Sequence, residues 1–223
     1  MDPAHCNTVT KLGRFENSWV DRGEGLSSKI KKGINRKGEG QLKLRLDRTY
    51  SALTQQIQNL DKARTGLMSK DSLYYEKIME ALKRDDRDRA IVYANEIAEL
   101  RRVIKSIYHT RLASEQLSVR VSTVKDIGGI VSTLAPATRI LKALRSDVSF
   151  ILPHADKQFD EISDMLNTTL VEAGQLSGVT VDFSSANAEA DKILRNAELQ
   201  VEGELEKKLP SVPITEAREG VPA

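Results

Sequence analysis

The stretch QLKLRLDRTYSALTQQIQNLDKARTGLMSKDSLYYEKIMEALKRDDRDRAIVYANEIAELRRVIKSIYHTRLASEQLSVRVSTVKDI, residues 41–127, decides how this chain is read. It contains no proline and a single glycine, Gly66. Up to and just past that glycine, Leu46, Tyr50, Leu53, Ile57, Leu60 and Leu67 recur at spacings of three and four, with one gap where Arg64 takes the position due. After Ser69-Lys70-Asp71-Ser72, the residues Ile78, Leu82, Ala90, Ala94, Ile97, Leu100, Ile104 and Ile107 continue a similar stripe. Apolar residues so spaced predict two amphipathic helices. A glycine followed by cap-forming serines and an aspartate predicts a reversal of the chain near residues 66–72. The fold class is all-α, a long helical hairpin with smaller helices behind it.

The second helix is predicted to be the longest element, from about Ser72 to about Asp126. Its charged run, Lys83-Arg84-Asp85-Asp86-Arg87-Asp88-Arg89, interrupts the apolar stripe and marks a fused or bent junction between helices. Farther on, Ile127-Gly128-Gly129-Ile130 predicts a bend or stop. Pro136 and Pro153 suit first-turn positions. Leu134, Ile140, Leu141, Leu144 and Val148 form one short amphipathic segment, and Phe159, Ile162, Met165, Leu166 and Leu170 form another that ends near Gly174. Residues 175–187 read as a loop. A weaker helix, Glu189 to Leu209, carries Ile193, Leu194, Ala197, Val201 and Leu205 among acids.

Residues 1–40 differ in kind. Glycines at 13, 23, 25, 33, 38 and 40 argue against a long helix there. Val9, Leu12, Phe15, Trp19 and Val20 nevertheless share one side of a helical wheel, a short stripe suited either to a membrane surface or to packing on the hairpin. Lys29, Lys31, Lys32, Arg36 and Lys37 follow, then Lys43, Arg45 and Arg48, with few acids among them. Such a basic arm can track phosphates of lipid or nucleic acid. Aromatics that would stack on bases are missing between Ile30 and Thr49, which favours lipid head groups.

Composition agrees with long helices and broad solvated faces: 30% of residues are charged, 39% hydrophobic and 4% aromatic. The net charge of +2 hides an uneven distribution. Residues 1–153 hold 28 basic and 18 acidic residues, and residues 154–223 hold 6 and 14. A basic body with an acidic tail implies an anionic partner for the body, or masking of the body by the tail. The chain has one cysteine, Cys6, so no intrachain disulfide forms, which fits a reducing compartment. No apolar run spans a membrane or forms a signal peptide, and a cytosolic protein is expected. His5 and Cys6 supply only two adjacent metal-ligand types, while His109 and His154 stand alone, so neither metal nor cofactor is expected. No GxxxxGK[ST], GxSxG, HExxH or CxxC pattern occurs. No nucleophile has a base beside it, and neither catalysis nor a small-molecule substrate is expected.

The order of parts resembles the ESCRT-III family. A basic first helix, a hairpin, a long second helix, smaller helices and an acidic tail follow one another. The run Ala90-Ile91-Val92-Tyr93-Ala94-Asn95-Glu96-Ile97-Ala98-Glu99-Leu100-Arg101-Arg102 is most similar to the archaeal cell-division, CdvB-type members. Separately, Leu209-Pro210-Ser211-Val212-Pro213 looks like the proline-rich motif by which ESCRT-III tails dock on the MIT domain of their AAA ATPase. Prolines pre-set an extended backbone, and Leu209 and Val212 can fill apolar grooves between helices.

The resemblance implies a subunit that opens from a closed monomer and polymerises on membrane, with itself and paralogous subunits, and is recycled by that ATPase. It implies a site on the inner face of the cell membrane during division. Three regions are expected: an N-terminal basic arm, 1–40; an ESCRT-III-like helical core, 41–153; and an acidic regulatory tail, 154–223. Membrane contact falls to Phe15, Trp19, Lys29, Lys31, Lys32, Arg36 and Lys37, ATPase docking to Leu209, Pro210, Val212 and Pro213, and polymer contact to Tyr93, Ile97, Leu100 and Ile104. The arm is longer than the family's, and no winged-helix module follows the tail, as in a shorter paralogue. The alternatives are a coiled-coil scaffold without a membrane role, and a helical nucleic-acid binder using residues 29–48.

Overall fold

The computed structural model describes residues 13–124, 127–178 and 183–213, with most side chains from residue 38 onward. Five helices follow in order: α1 (Gly13–Lys83), α2 (Arg87–Thr123), α3 (Ile127–Val148), α4 (Pro153–Ser177) and α5 (Phe183–Lys208). Among the described residues there is no strand. The chain divides into two compact units, residues 1–43 and 44–223. The first contains the beginning of α1, and every contact described below lies in the second.

The hairpin is present, but its turn is not at Gly66. The chain runs through that glycine in α1 and reverses at Arg84-Asp85-Asp86. One glycine inside a helix costs only about 1 kcal/mol relative to alanine, and nothing near Gly66 adds to that cost. The serines that resemble caps instead donate to carbonyls one turn back, Ser69 Oγ to Thr65 at 3.1 Å and Ser72 Oγ to Met68 at 3.2 Å. The real stop is a left-handed cap. Asp85 adopts φ 57°, its N–H donates to Leu82, and the Asp86 N–H reaches back to Ala81 at 3.0 Å. These are the two bonds of a Schellman ending, with aspartate where glycine is usual. Asp86 then caps α2, its carboxylate accepting the Arg89 N–H at 3.2 Å. The charged run is therefore the hairpin tip, and α1, not the second helix, is the longest element.

A long helix also occupies the glycine-rich segment from Gly13, where none was expected. Glycine weakens a helix without breaking it as proline does, and there is no proline between residues 13 and 83. Once the packed part of α1 exists, extension needs no new nucleus.

α2 packs antiparallel to α1. Leu53, Leu60, Ile78, Ile97, Ile104, Ile107 and Leu117 are fully buried in the core. The gap in the first stripe, Arg64, lies over the ring of Tyr108 at 4.8 Å, so the break in hydrophobicity is filled by a cation–π contact. Asp71, a turn residue by its sequence surroundings, is instead 2% exposed and gripped by Arg101 through two bonds of 2.7 and 3.2 Å.

α3 and α4 form a second, shorter hairpin. Its turn is pinned by Arg145, which pairs with Asp156 at 2.6 Å and also with Asp160. Pro153 opens α4 as expected, but Pro136 lies inside α3, ten residues into the helix. Phe159, Ile162 and Leu166 of α4 face the core with Leu134, Ile140, Leu141, Leu144 and Val148 of α3, as their spacing predicts. α4 runs on past Gly174 to Ser177, closed by Gly178 at φ 66°, whose N–H donates to the Gly174 carbonyl at 2.9 Å. Arg45 reaches Glu172 at 2.5 Å, so α4 also lies along α1. α5 begins at Phe183, within the segment read as a loop.

Candidate functional site: the seam beneath the C-terminal helix

The last helix is acidic, and its inner stripe is made of small residues. Ala186, Ala190, Ile193, Ala197 and Val201 recur at spacings of three and four and are buried. Three alanines contribute only a methyl group each, so this stripe removes less apolar surface from water than the Phe159, Ile162 and Leu166 face of α4. The seam is apolar but thin.

Polar contacts flank it. Arg120 of α2 meets Glu189 at 2.5 Å, and Arg139 of α3 donates twice to Asp191 at 3.1 and 2.8 Å. Toward the other end, Lys105 meets Glu202 at 2.8 Å. The Tyr108 hydroxyl donates to Glu204 at 2.6 Å, and Lys208 lies over the same ring at 5.7 Å. Burial and that donated bond push the Tyr108 phenol up from its ordinary value. Bonds from Lys208 and then Tyr108 hold Glu204 below the usual carboxylate range. The three ion pairs are more than one-third exposed, so each contributes about 0.2–1 kcal/mol and is screened by salt. The arrangement holds a helix in place without holding it tightly.

His109 completes the seam. Its ring lies between Asp147, at the end of α3, and the Leu194 carbonyl on α5, with Nδ1 3.3 Å from the former and Nε2 3.1 Å from the latter. The Asp147 carboxylate raises its pKa above the ordinary 6.5, against the opposing effect of burial. Ser106 donates to the Asp147 backbone carbonyl at 3.0 Å and fixes the end of α3 against α2.

Beyond α5 the chain turns along α1. Leu209 and Pro210 line a groove with Thr65, Met68, Ser72 and Tyr75. The Leu209 N–H still donates to Leu205 at 2.9 Å, so the motif begins directly on the helix end. Val212 and Pro213 are half-buried. The sequence-predicted motif therefore has its first two residues against α1.

The other predicted residues are scattered. Phe15, Trp19, Lys29, Lys31, Lys32, Arg36 and Lys37 all fall on α1, within the first unit. Val9, Leu12, His5 and Cys6 lie outside the described residues. Tyr93 is half-buried and packs near Tyr74, centroid to centroid 6.1 Å, with Lys77 over both rings. Ile97 and Ile104 have no exposed surface and belong to the core, and Leu100 is half-buried. In this arrangement Ile97 and Ile104 cannot touch a neighbouring copy. The residues that sequence reasoning missed are Lys105, His109, Arg120 and Arg139. Nothing marks them in the sequence except the opposite charge of the tail.

Among the described residues, no three histidine, cysteine or acidic side chains are placed to hold a metal ion. No described helix is long and apolar enough to cross a membrane.

The Snf7 family model matches residues 48–217, which is most of the chain and includes the hairpin, the smaller helices and the docked tail. The chain belongs to the Snf7, or ESCRT-III, family. It is 30% identical over 177 residues to Cell division protein B1 of Sulfolobus acidocaldarius, covering 79% of this chain and 83% of the relative. It is 32% identical over 161 residues to Cell division protein B of the same organism, covering 72% of this chain and 62% of that longer relative. No solved structure gives a significant match. The all-α hairpin is thus the ESCRT-III fold, and this family is one of structural, filament-forming proteins.

Proposed function

We propose that this chain is an ESCRT-III-like cell-division subunit held in a closed form by its own last helix. The docking of α5 carries the reading. It covers faces of α2 and α3 with an acidic, alanine-rich helix whose ion pairs are exposed and salt-sensitive. A helix held so lightly is suited to release. Neighbouring subunits and anionic lipid would compete for the basic residues it occupies, and its departure would bare a continuous apolar strip for the next copy or a paralogue.

The basic arm, with Phe15, Trp19, Lys29, Lys31, Lys32, Arg36 and Lys37, would meet the anionic inner face of the membrane. Assembly there would constrict or cut it. An AAA ATPase would grip Leu209, Pro210, Val212 and Pro213 through its MIT domain and withdraw subunits. The three regions of the chain then divide the work: arm for membrane, core for assembly, tail for restraint and recycling.

Co-sedimentation with anionic and neutral vesicles, followed by negative-stain imaging, tests this function. Filaments or rings should form with anionic vesicles and disappear when Lys29, Lys31 and Lys32 become glutamate. A chain that stays in the supernatant with every vesicle would defeat the membrane part of the proposal.

A further inference from the structure

His109 stands where three helices meet, and both of its ring nitrogens face acceptors. Nδ1 is 3.3 Å from the Asp147 carboxylate on α3, and Nε2 is 3.1 Å from the Leu194 carbonyl on α5. Neither a carboxylate nor a carbonyl can donate. A neutral imidazole carries one N–H and can serve only one of them, whereas imidazolium serves both. We propose that His109 is a proton-operated latch whose charged form ties α5 and the end of α3 to α2, and whose neutral form lets α5 go. The inference rests on the closed, α5-docked reading above and adds to it the condition under which the helix is released.

The charged groups that line the groove around the ring are Arg102 and Lys105 from α2, Asp147 from α3, and Asp191, Arg195 and Glu198 from α5. Lys105 is already held by Glu202, and Asp191 by Arg139. Arg102 is held by Glu99 at 2.8 Å. Asp147 and Glu198 favour a charged ring, and Arg195 is the cation left to oppose them. The Asp147 contact outweighs burial and raises the pKa. When one proton leaves, the carboxylate is the stronger acceptor and keeps the remaining N–H on Nδ1. Nε2 then presents a lone pair to the Leu194 carbonyl. The bond that fails is the one to α5, while α3 keeps its tie.

The sign follows from linkage. A pKa raised in the docked state means that the latch is fully present below the ordinary value of 6.5 and is lost as pH rises through the raised value. Acid therefore favours the closed form, and the opening constant of α5 grows up to tenfold for each unit separating the docked and released pKa values.

Hydrogen exchange of the full chain, corrected for intrinsic rates between about pH 5.5 and about pH 8.5, reads this opening directly. The amides of α5 near Leu194 should open several-fold more at the alkaline end, while those of α4 keep their protection and report an intact fold. His109→Gln, which cannot change charge, should flatten the α5 profile. Asp147→Asn should lower the pH at which the His109 ring titrates, followed by its NMR signal, toward the ordinary histidine value. An α5 profile of equal slope in the wild type and His109→Gln would overturn the latch. Protected but pH-independent α5 amides would overturn the latch and leave the closed form standing. Unprotected α5 amides at every pH would overturn both.

Discussion

Replacing Ala190 with lysine should detach α5 and leave the rest of the molecule folded. Ala190 has no exposed surface, and the residues on either side of it, Glu189 and Asp191, are held by Arg120 and Arg139. A lysine there must bury an unpaired ammonium in an apolar seam, at a cost of about 3–5 kcal/mol. The docked stripe supplies about 1.5–3 kcal/mol each from Ile193 and Val201, and about 0.8 kcal/mol for each alanine methyl, as upper limits. Ordering the helix on its seat subtracts from that sum. A penalty of this size removes most of what holds α5. Lysine is a good helix former, so the change acts on docking rather than on the helix itself. In hydrogen exchange the α5 amides should open roughly a hundredfold or more faster, at about 1.4 kcal/mol per tenfold, while α3 and α4 stay protected. Exchange of α5 within a few-fold of the wild type would refute the reasoning, because the helix would then be held by something other than this seam.

Three further changes probe the hairpin. Asp71→Ala leaves Arg101 partly buried without its carboxylate and should cost about 3 kcal/mol in denaturant unfolding; a loss below 1 kcal/mol would mean that the pair is dispensable. Gln56 is 1% exposed with neither amide atom bonded, so Gln56→Met, of similar size, should stabilise the protein by about 1–2 kcal/mol; a lower midpoint in urea would contradict this. Asp85→Gly relieves the left-handed backbone at the tip and should stabilise by up to about 1 kcal/mol, read as a rise in melting temperature; an unchanged or lower value would place the strain elsewhere.

The fold class and most of the core were legible because helical periodicity survives in Leu53, Leu60, Ile97, Ile104 and the stripes of α3 and α4. The tip was not legible. Gly66 with its serines has the composition of a turn, yet each serine finds a carbonyl within its own helix. Asp85 takes a conformation that its residue type does not announce. The site was legible only as a total, a basic body and an acidic tail. Which acid meets which base depends on how α5 is rotated on its seat: Ile193, Ala197 and Val201 were read as its apolar residues, but Ala186 and Ala190, which complete the buried stripe, are too small to stand out in a sequence. His109 is isolated along the chain and becomes a bridge only when α3 and α5 close around it. Arg64 likewise reads as a defect in a stripe until Tyr108 lies beneath it.

In the proposed closed form, α5 restrains assembly. Sedimentation of the full chain beside a chain truncated before Glu189, at equal concentration and low salt in the absence of vesicles, tests this restraint. Release of the restraint predicts that the truncated chain pellets as polymer where the full chain remains monomeric. A truncated chain that stays monomeric under those conditions would contradict the account.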